Sequence, residues 1–154
     1  MAASGKAAQR LQAAQRLRAA LDGQRAALGE PPWTGPTDPA ALGRACALAV
    51  VAALRAGAQP LREALRCATR YLLDLLAAAA PGRAVEVRVP PYAAVQCVGG
   101  PRHTRGTPAN VVEMDPVTWI RLAAGLVSWD EAVSEGLVHA SGVRADLTEY
   151  LPVL

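Results

Sequence analysis

The stretch VVEMDPVTWIRLAAGLVSWDEAVSEGLVHASGVRADLTEYLPVL, Val111 to Leu154, decides how the rest of this chain is read. Asn110 to Met114 reads as a strand. Asp115 and Pro116 then supply a helix cap and a first-turn proline, opening a helix through Trp119, Ile120, Leu122 and Ala123 that Gly125 should end. Ser128, Trp129, Asp130 and Glu131 form an S-x-x-E capping box, in which serine and glutamate each satisfy an orphan backbone NH group at a helix start. Gly136 closes that short helix. Leu137 to Ser141 follows as a further strand, and Arg144 to Leu151 as a final short helix with Leu147 and Leu151 on one side.

Upstream of this stretch, Val85, Val87 and Val89 alternate with Glu86 and Arg88, the period-two mark of a half-buried strand. Pro90 and Pro91 force a reversal, and Tyr92 to Val98 is expected to run antiparallel beside the first strand. Before it, apolar positions recur with a period of 3.6 from Leu61 through Leu72, Leu76 and Ala79, an amphipathic helix that Pro81 and Gly82 end. Asp38 and Pro39 cap another helix, running to about Arg55 with Gly57 as its stop. Ala7 to Leu28 predicts an N-terminal helix with a narrow leucine stripe. Gly29 to Pro39 carries four prolines and two glycines, so it interrupts the helices as a linker or an irregular packing segment. We expect residues 1–38 to form an N-terminal helix with a proline-rich linker, and residues 39–154 the main domain.

With 154 residues, 52% of them hydrophobic and 19% charged, the chain is long and apolar enough to bury a real core. Its net charge of +3 comes from scattered arginines and a single lysine, Lys6. Nucleic-acid binding needs cations clustered on one face, so no nucleic-acid partner is expected. The most apolar run, Ala45 to Leu54, is far shorter than the ~20 residues of a membrane span. Arginines and Lys6 interrupt the N-terminus, which leaves no stretch for a secretion signal, and a cytoplasmic protein is expected. Cys46, Cys67 and Cys97 lie far apart without a CxxC pair, which suggests core residues and neither disulfides nor a metal site.

A search for catalytic groupings finds little. His103 and His139 sit in different elements without a ligand-spaced companion, so no metal is expected, and His139 reads as a polar-face residue of its strand. GGPRHTRGTP, Gly99 to Pro108, resembles a phosphate cradle in its glycines and arginines. It lacks the P-loop lysine and the following helix, however, and reads as a long turn between strands. Cys97 and His103 are six residues apart across a glycine pair and could approach each other, but pairs of this kind arise by chance very often. No catalytic residue and no cofactor are assigned.

The order of strand, capped helix, glycine, capped short helix, glycine, strand and terminal helix from Val111 resembles the sterol carrier protein superfamily. VEVRVPPYAAVQCVGGPRHTRGTPANVVEMDPVTW is similar to the bacterial sterol-carrier orthologue domain, and the resemblance covers about Leu61 to Leu154. It implies an α+β fold with a five-stranded, largely antiparallel sheet covered by helices, enclosing an apolar tunnel for a lipid, a sterol-like molecule or an acyl chain. The function it implies is non-enzymatic binding or carriage of that ligand. By element, the expected walls are Val112, Trp119, Leu122, Trp129, Val133, Val138, Leu147 and Leu151, with Arg102, His103 and Arg105 as a rim for an anionic head group. The alternative is an accessory or interaction module with a closed core, related to the C-terminal domain of mycothiol-dependent maleylpyruvate isomerases. The N-terminal helix is then the expected surface for a protein partner or self-association.

Overall fold

The computed structural model describes residues 2–101, 106 and 109–154. It divides into two compact units, Met1–Ala68 and Thr69–Leu154, and the division falls within one helix.

The first unit is helical. The predicted N-terminal helix is observed as α1, Ala2–Ala27. Its leucine stripe is used at one end only, with Leu21 fully buried and Leu11 61% exposed. Asp38 caps α2, Pro39–Arg55, by accepting from the Ala41 NH at 3.0 Å. Behind it, Cys46, Ala47, Val50 and Ala53 are completely buried. Gly57 takes a φ of +71°, and the Ala58 NH returns to the Ala53 carbonyl, the left-handed helix stop that favours glycine. Helix α3, Arg62–Ala79, begins in this unit and continues into the second. The buried Gln24 of α1 accepts from the Leu61 NH at 2.8 Å, fixing the entry to α3.

Gly29 to Pro39 is bonded to side chains of α1. The Trp33 NH donates to Asp22 Oδ1 at 2.7 Å, and the Trp33 carbonyl accepts from Arg18 at 2.6 Å. Arg18 and Asp22 are themselves paired at 2.8 Å. The NH bond from Trp33, followed by Arg18, holds the Asp22 carboxyl below its ordinary range. Its contribution to folding is therefore present at neutral pH and is lost as pH falls through that lowered value.

The second unit carries the sheet. Strands β1 (Val85–Val89), β2 (Ala93–Cys97), β3 (Val111–Met114) and β4 (Val138–Ser141) lie in the order β2-β1-β3-β4. β1 and β2 pair antiparallel with Val87 opposite Val95, as the turn at Pro90 and Pro91 predicts. β3 and β4 are also antiparallel, with Glu113 opposite His139. β1 and β3 are parallel, Val87 opposite Val112. Among the described residues the sheet is thus four-stranded and mixed, where five largely antiparallel strands were expected. The reason is topological: β2 ends beside the start of β1, so a chain returning from there enters β3 in the direction of β1.

Helices α4 (Pro116–Ala123) and α5 (Trp129–Ser134) connect β3 to β4. Asp115 caps α4 through the Thr118 NH at 3.0 Å and its hydroxyl at 2.7 Å. The Ser128–Glu131 capping box is present in both directions, at 3.0 and 3.1 Å. The predicted final helix, Arg144 to Leu151, is not formed. Asp146 takes both the NH and the hydroxyl of Thr148, which leaves a single 3-10 turn at Thr148–Tyr150, and Pro152 bars its extension.

One side chain ties the sheet's ends together. Asn110, 6% exposed, donates to the Ala84 carbonyl at 2.9 Å and accepts from the Arg144 NH at 2.9 Å, while its own carbonyl accepts from the Glu86 NH. Gly142, at φ +103°, lies so close to Asn110 that no Cβ fits there. Asn110→Ala should remove both side-chain bonds and strand their partners, costing about 2–3 kcal/mol in a urea unfolding titration. A change below about 0.5 kcal/mol would show that the strands hold their register without it.

Candidate functional site

The C-terminal unit carries an apolar groove at the end of α4. Helix α4 stops at Gly125, φ +72°, where the Leu126 NH bonds back to the Arg121 carbonyl at 2.8 Å. The turn delivers Val127 and Ser128, and Trp129 follows as the first residue of α5. Beyond the 3-10 turn the chain extends and returns to α4, with the Val153 and Leu154 NH groups both donating to the Ala123 carbonyl at 3.0 and 3.1 Å. That carbonyl is one of those a helix end leaves without an intrahelical partner. The returning tail therefore forms one wall and α4 the other.

Between them lies a cavity of about 280 Å³, lined by Leu122, Gly125, Val127, Ser128, Trp129, Thr148, Leu151 and Pro152. Its volume is just below the roughly 300 Å³ at which small-molecule pockets begin. Ser128 Oγ accepts from the Glu131 NH, and the Thr148 hydroxyl donates to Asp146 at 2.6 Å. Both lining hydroxyls are thus engaged, one with a backbone NH and one with a carboxylate, and the remaining lining side chains are aliphatic or aromatic. Such a surface offers apolar contact and little polar selection.

Of the residues expected to form the walls, the structure brings Leu122, Trp129 and Leu151 together on this groove. Val112, Trp119, Val138 and Leu147 do not line it and are buried, none more than 5% exposed. Val133 is 42% exposed and does not line the groove. Arg102, His103 and Arg105 lie outside the described residues. Sequence reasoning missed Val127 and Pro152, because a wall made by a returning tail leaves no periodic signal. The proline that stops the terminal turn was the one available hint.

The interior is organised around Trp119, which is completely buried and donates its indole NH to the Thr69 carbonyl of α3 at 3.2 Å. The Thr69 hydroxyl is buried and has no hydrogen-bond partner among the described residues.

Among the described residues no reactive grouping is assembled. Burial pushes the Cys97 thiol up to about 11 and the Cys46 thiol up to about 12, the nearby Cys67 adding to the latter. At neutral pH both are protonated and poorly nucleophilic. His139 is exposed on β4 opposite Glu113. Among the described residues no three His, Cys, Asp or Glu side chains converge to hold a metal, and no helix is long and apolar enough to cross a membrane.

These features define a small α+β domain that offers an apolar groove between a capped helix pair and its own C-terminal tail. The family model described as bacterial SCP ortholog, a sterol carrier protein-like domain, matches residues 61–153, and the chain belongs to that family. No curated protein matches the chain.

The buried thiols give a direct check on the packing. Iodoacetamide at pH 8 should leave Cys46 and Cys97 unmodified in the native protein and label both in urea, as read by peptide mass spectrometry. Since both values lie above the ordinary thiol value of 9.0, stability should hold below pH 9 and fall as pH rises towards 11. Rapid native labelling of Cys97 would contradict a closed interior.

Proposed function

We propose that the chain binds and carries a lipid-like apolar molecule without transforming it. The observation that carries this reading is the groove of Leu122, Val127, Trp129, Leu151 and Pro152, set inside the segment that matches the carrier family. Transfer of an acyl chain from water is worth about 0.8 kcal/mol per CH₂, but almost nothing from a bilayer. A carrier therefore needs a membrane-like lining and no reacting groups.

In this reading the groove is the mouth of a larger site. A bound chain passes inward towards Trp119, Val112, Val138 and Leu147, which part to admit it, and the tunnel of the family exists only when filled. Thr69 supports this, because an unpartnered hydroxyl in an apolar interior gives a ligand's hydroxyl or carbonyl a place to bond. Arg102, His103 and Arg105 serve as a rim for an anionic head. Residues 39–154 act as the carrier domain in a cytoplasmic setting.

A second reading, the accessory module with a closed core, draws on the complete burial of Val112, Trp119 and Leu147. The two readings differ in a measurement. In a ¹⁵N-labelled sample, myristate should shift the indole NH signals of Trp129 and Trp119 saturably. Leu151→Asp, placed at a half-buried wall position, should weaken that effect by roughly tenfold or more, as expected for a charge set against an apolar chain. If both signals stay fixed, or respond equally in the variant, the carrier reading fails and the closed module stands.

A further inference from the structure

A cleft lies in the helical unit, outside the segment that matches the family. It has a volume of about 460 Å³, within the range of small-molecule sites. One wall is the proline-rich strap with Trp33 and Pro36; the other is the face of α2 from Ala41 to Ala52, about 16 Å long at ~1.5 Å per residue. Leu48, on that face, is 46% exposed.

The strap wall is rigid. The Trp33 backbone is bonded to Asp22 and Arg18, and its indole NH donates to the Pro36 carbonyl at 2.9 Å. Arg25 sits over the ring at 5.8 Å, and Gly35 packs against it so closely that no Cβ fits. The ring is thus already engaged by the protein and acts as a wall. The opposite wall is alanine and leucine, which suits an aliphatic body better than a stacked aromatic one.

Charge completes the specification. Arg25 is neutralised by Glu30 at 2.9 Å, and its Nε donates to the Pro31 carbonyl. Arg44, exposed on α2, also lines the cleft, as does Glu30, and no carboxylate pairs with Arg44 among the described residues. Among the described residues the cleft therefore holds one cation without a paired carboxylate beside an apolar trough. A guanidinium in that position matches a carboxylate through two parallel hydrogen bonds.

We propose that this cleft binds a straight-chain aliphatic monocarboxylate, its chain along Leu48 and the alanines of α2 and its carboxylate on Arg44. The site is separate from the groove of the carrier reading and shares no residue with it. Its occupancy is set by the ligand's charge as well as its apolar chain, whereas the groove at Trp129 selects mainly for apolar surface.

Sodium laurate, below its micelle concentration, should shift the Trp33 indole NH of the full chain saturably. Arg44→Gln should weaken laurate at Trp33 by roughly two- to fivefold, the range for an ion pair at an exposed arginine, and leave the uncharged 1-dodecanol unchanged. Leu48→Asp, at a half-exposed position that tolerates a charge, should abolish both. The proposal is overturned if laurate does not move Trp33, if Arg44→Gln binds it as well as the parent chain, or if Leu48→Asp changes only the oligomeric mass. Trp33 and Trp129 are separate reporters, so failure here and failure of the carrier reading give different patterns.

Discussion

The bond from the Trp119 indole NH to the Thr69 carbonyl is the constraint on which the C-terminal unit depends. A chain without phenylalanine and rich in alanine has few large side chains to fill an interior. Trp119 provides that bulk, but a buried indole NH needs an acceptor. Thr69, on α3, supplies one, and so fixes where α4 lies against α3. Gly125 turns the chain at the end of α4, Ser128 starts α5 with Trp129 in its first turn, and the Ala123 carbonyl receives the returning tail. The groove is the space left between a helix end and the strand of chain that covers it.

The parts of this arrangement that are local were legible in the sequence. Asp38, Asp115 and the Ser128–Glu131 pair mark helix starts because each bonds an NH group three residues away. Gly57, Gly125 and Gly136 mark helix stops because a φ near +70° costs glycine little. The valine alternation in β1 was equally plain, since burial alternates along a strand. What escaped was set at a distance. The parallel pairing of β1 with β3 depends on the end of the sheet to which the chain returns. The terminal helix failed because Asp146 offered Thr148 a local bond that a helix could not match.

The candidate site was legible to the same degree. Leu122, Trp129 and Leu151 were expected as walls because the family resemblance sets their elements around an apolar site, and no pattern in the residues themselves marks a wall. Val127 and Pro152 belong to a turn and a tail, and only their return to α4 makes them neighbours. In the helical unit the proline-rich segment was legible as a break but not as a wall. Its role depends on Asp22 and Arg18, two side chains of α1 that hold the backbone of Trp33 from eleven and fifteen residues away. Composition gives no sign of such a bond.

Two apolar surfaces thus arise by different routes, one from a tail laid over a helix end and the other from a strap fixed beside a helix. The first lies within the family segment and carries the central claim, that the protein holds an apolar molecule and releases it unchanged. Transfer of a pyrene-labelled phospholipid between donor and acceptor vesicles tests that claim most directly. The account predicts a rate that rises in proportion to protein concentration and falls to the protein-free value with Leu151→Asp. A rate indifferent to protein concentration, or equal for the parent chain and the variant, would contradict it.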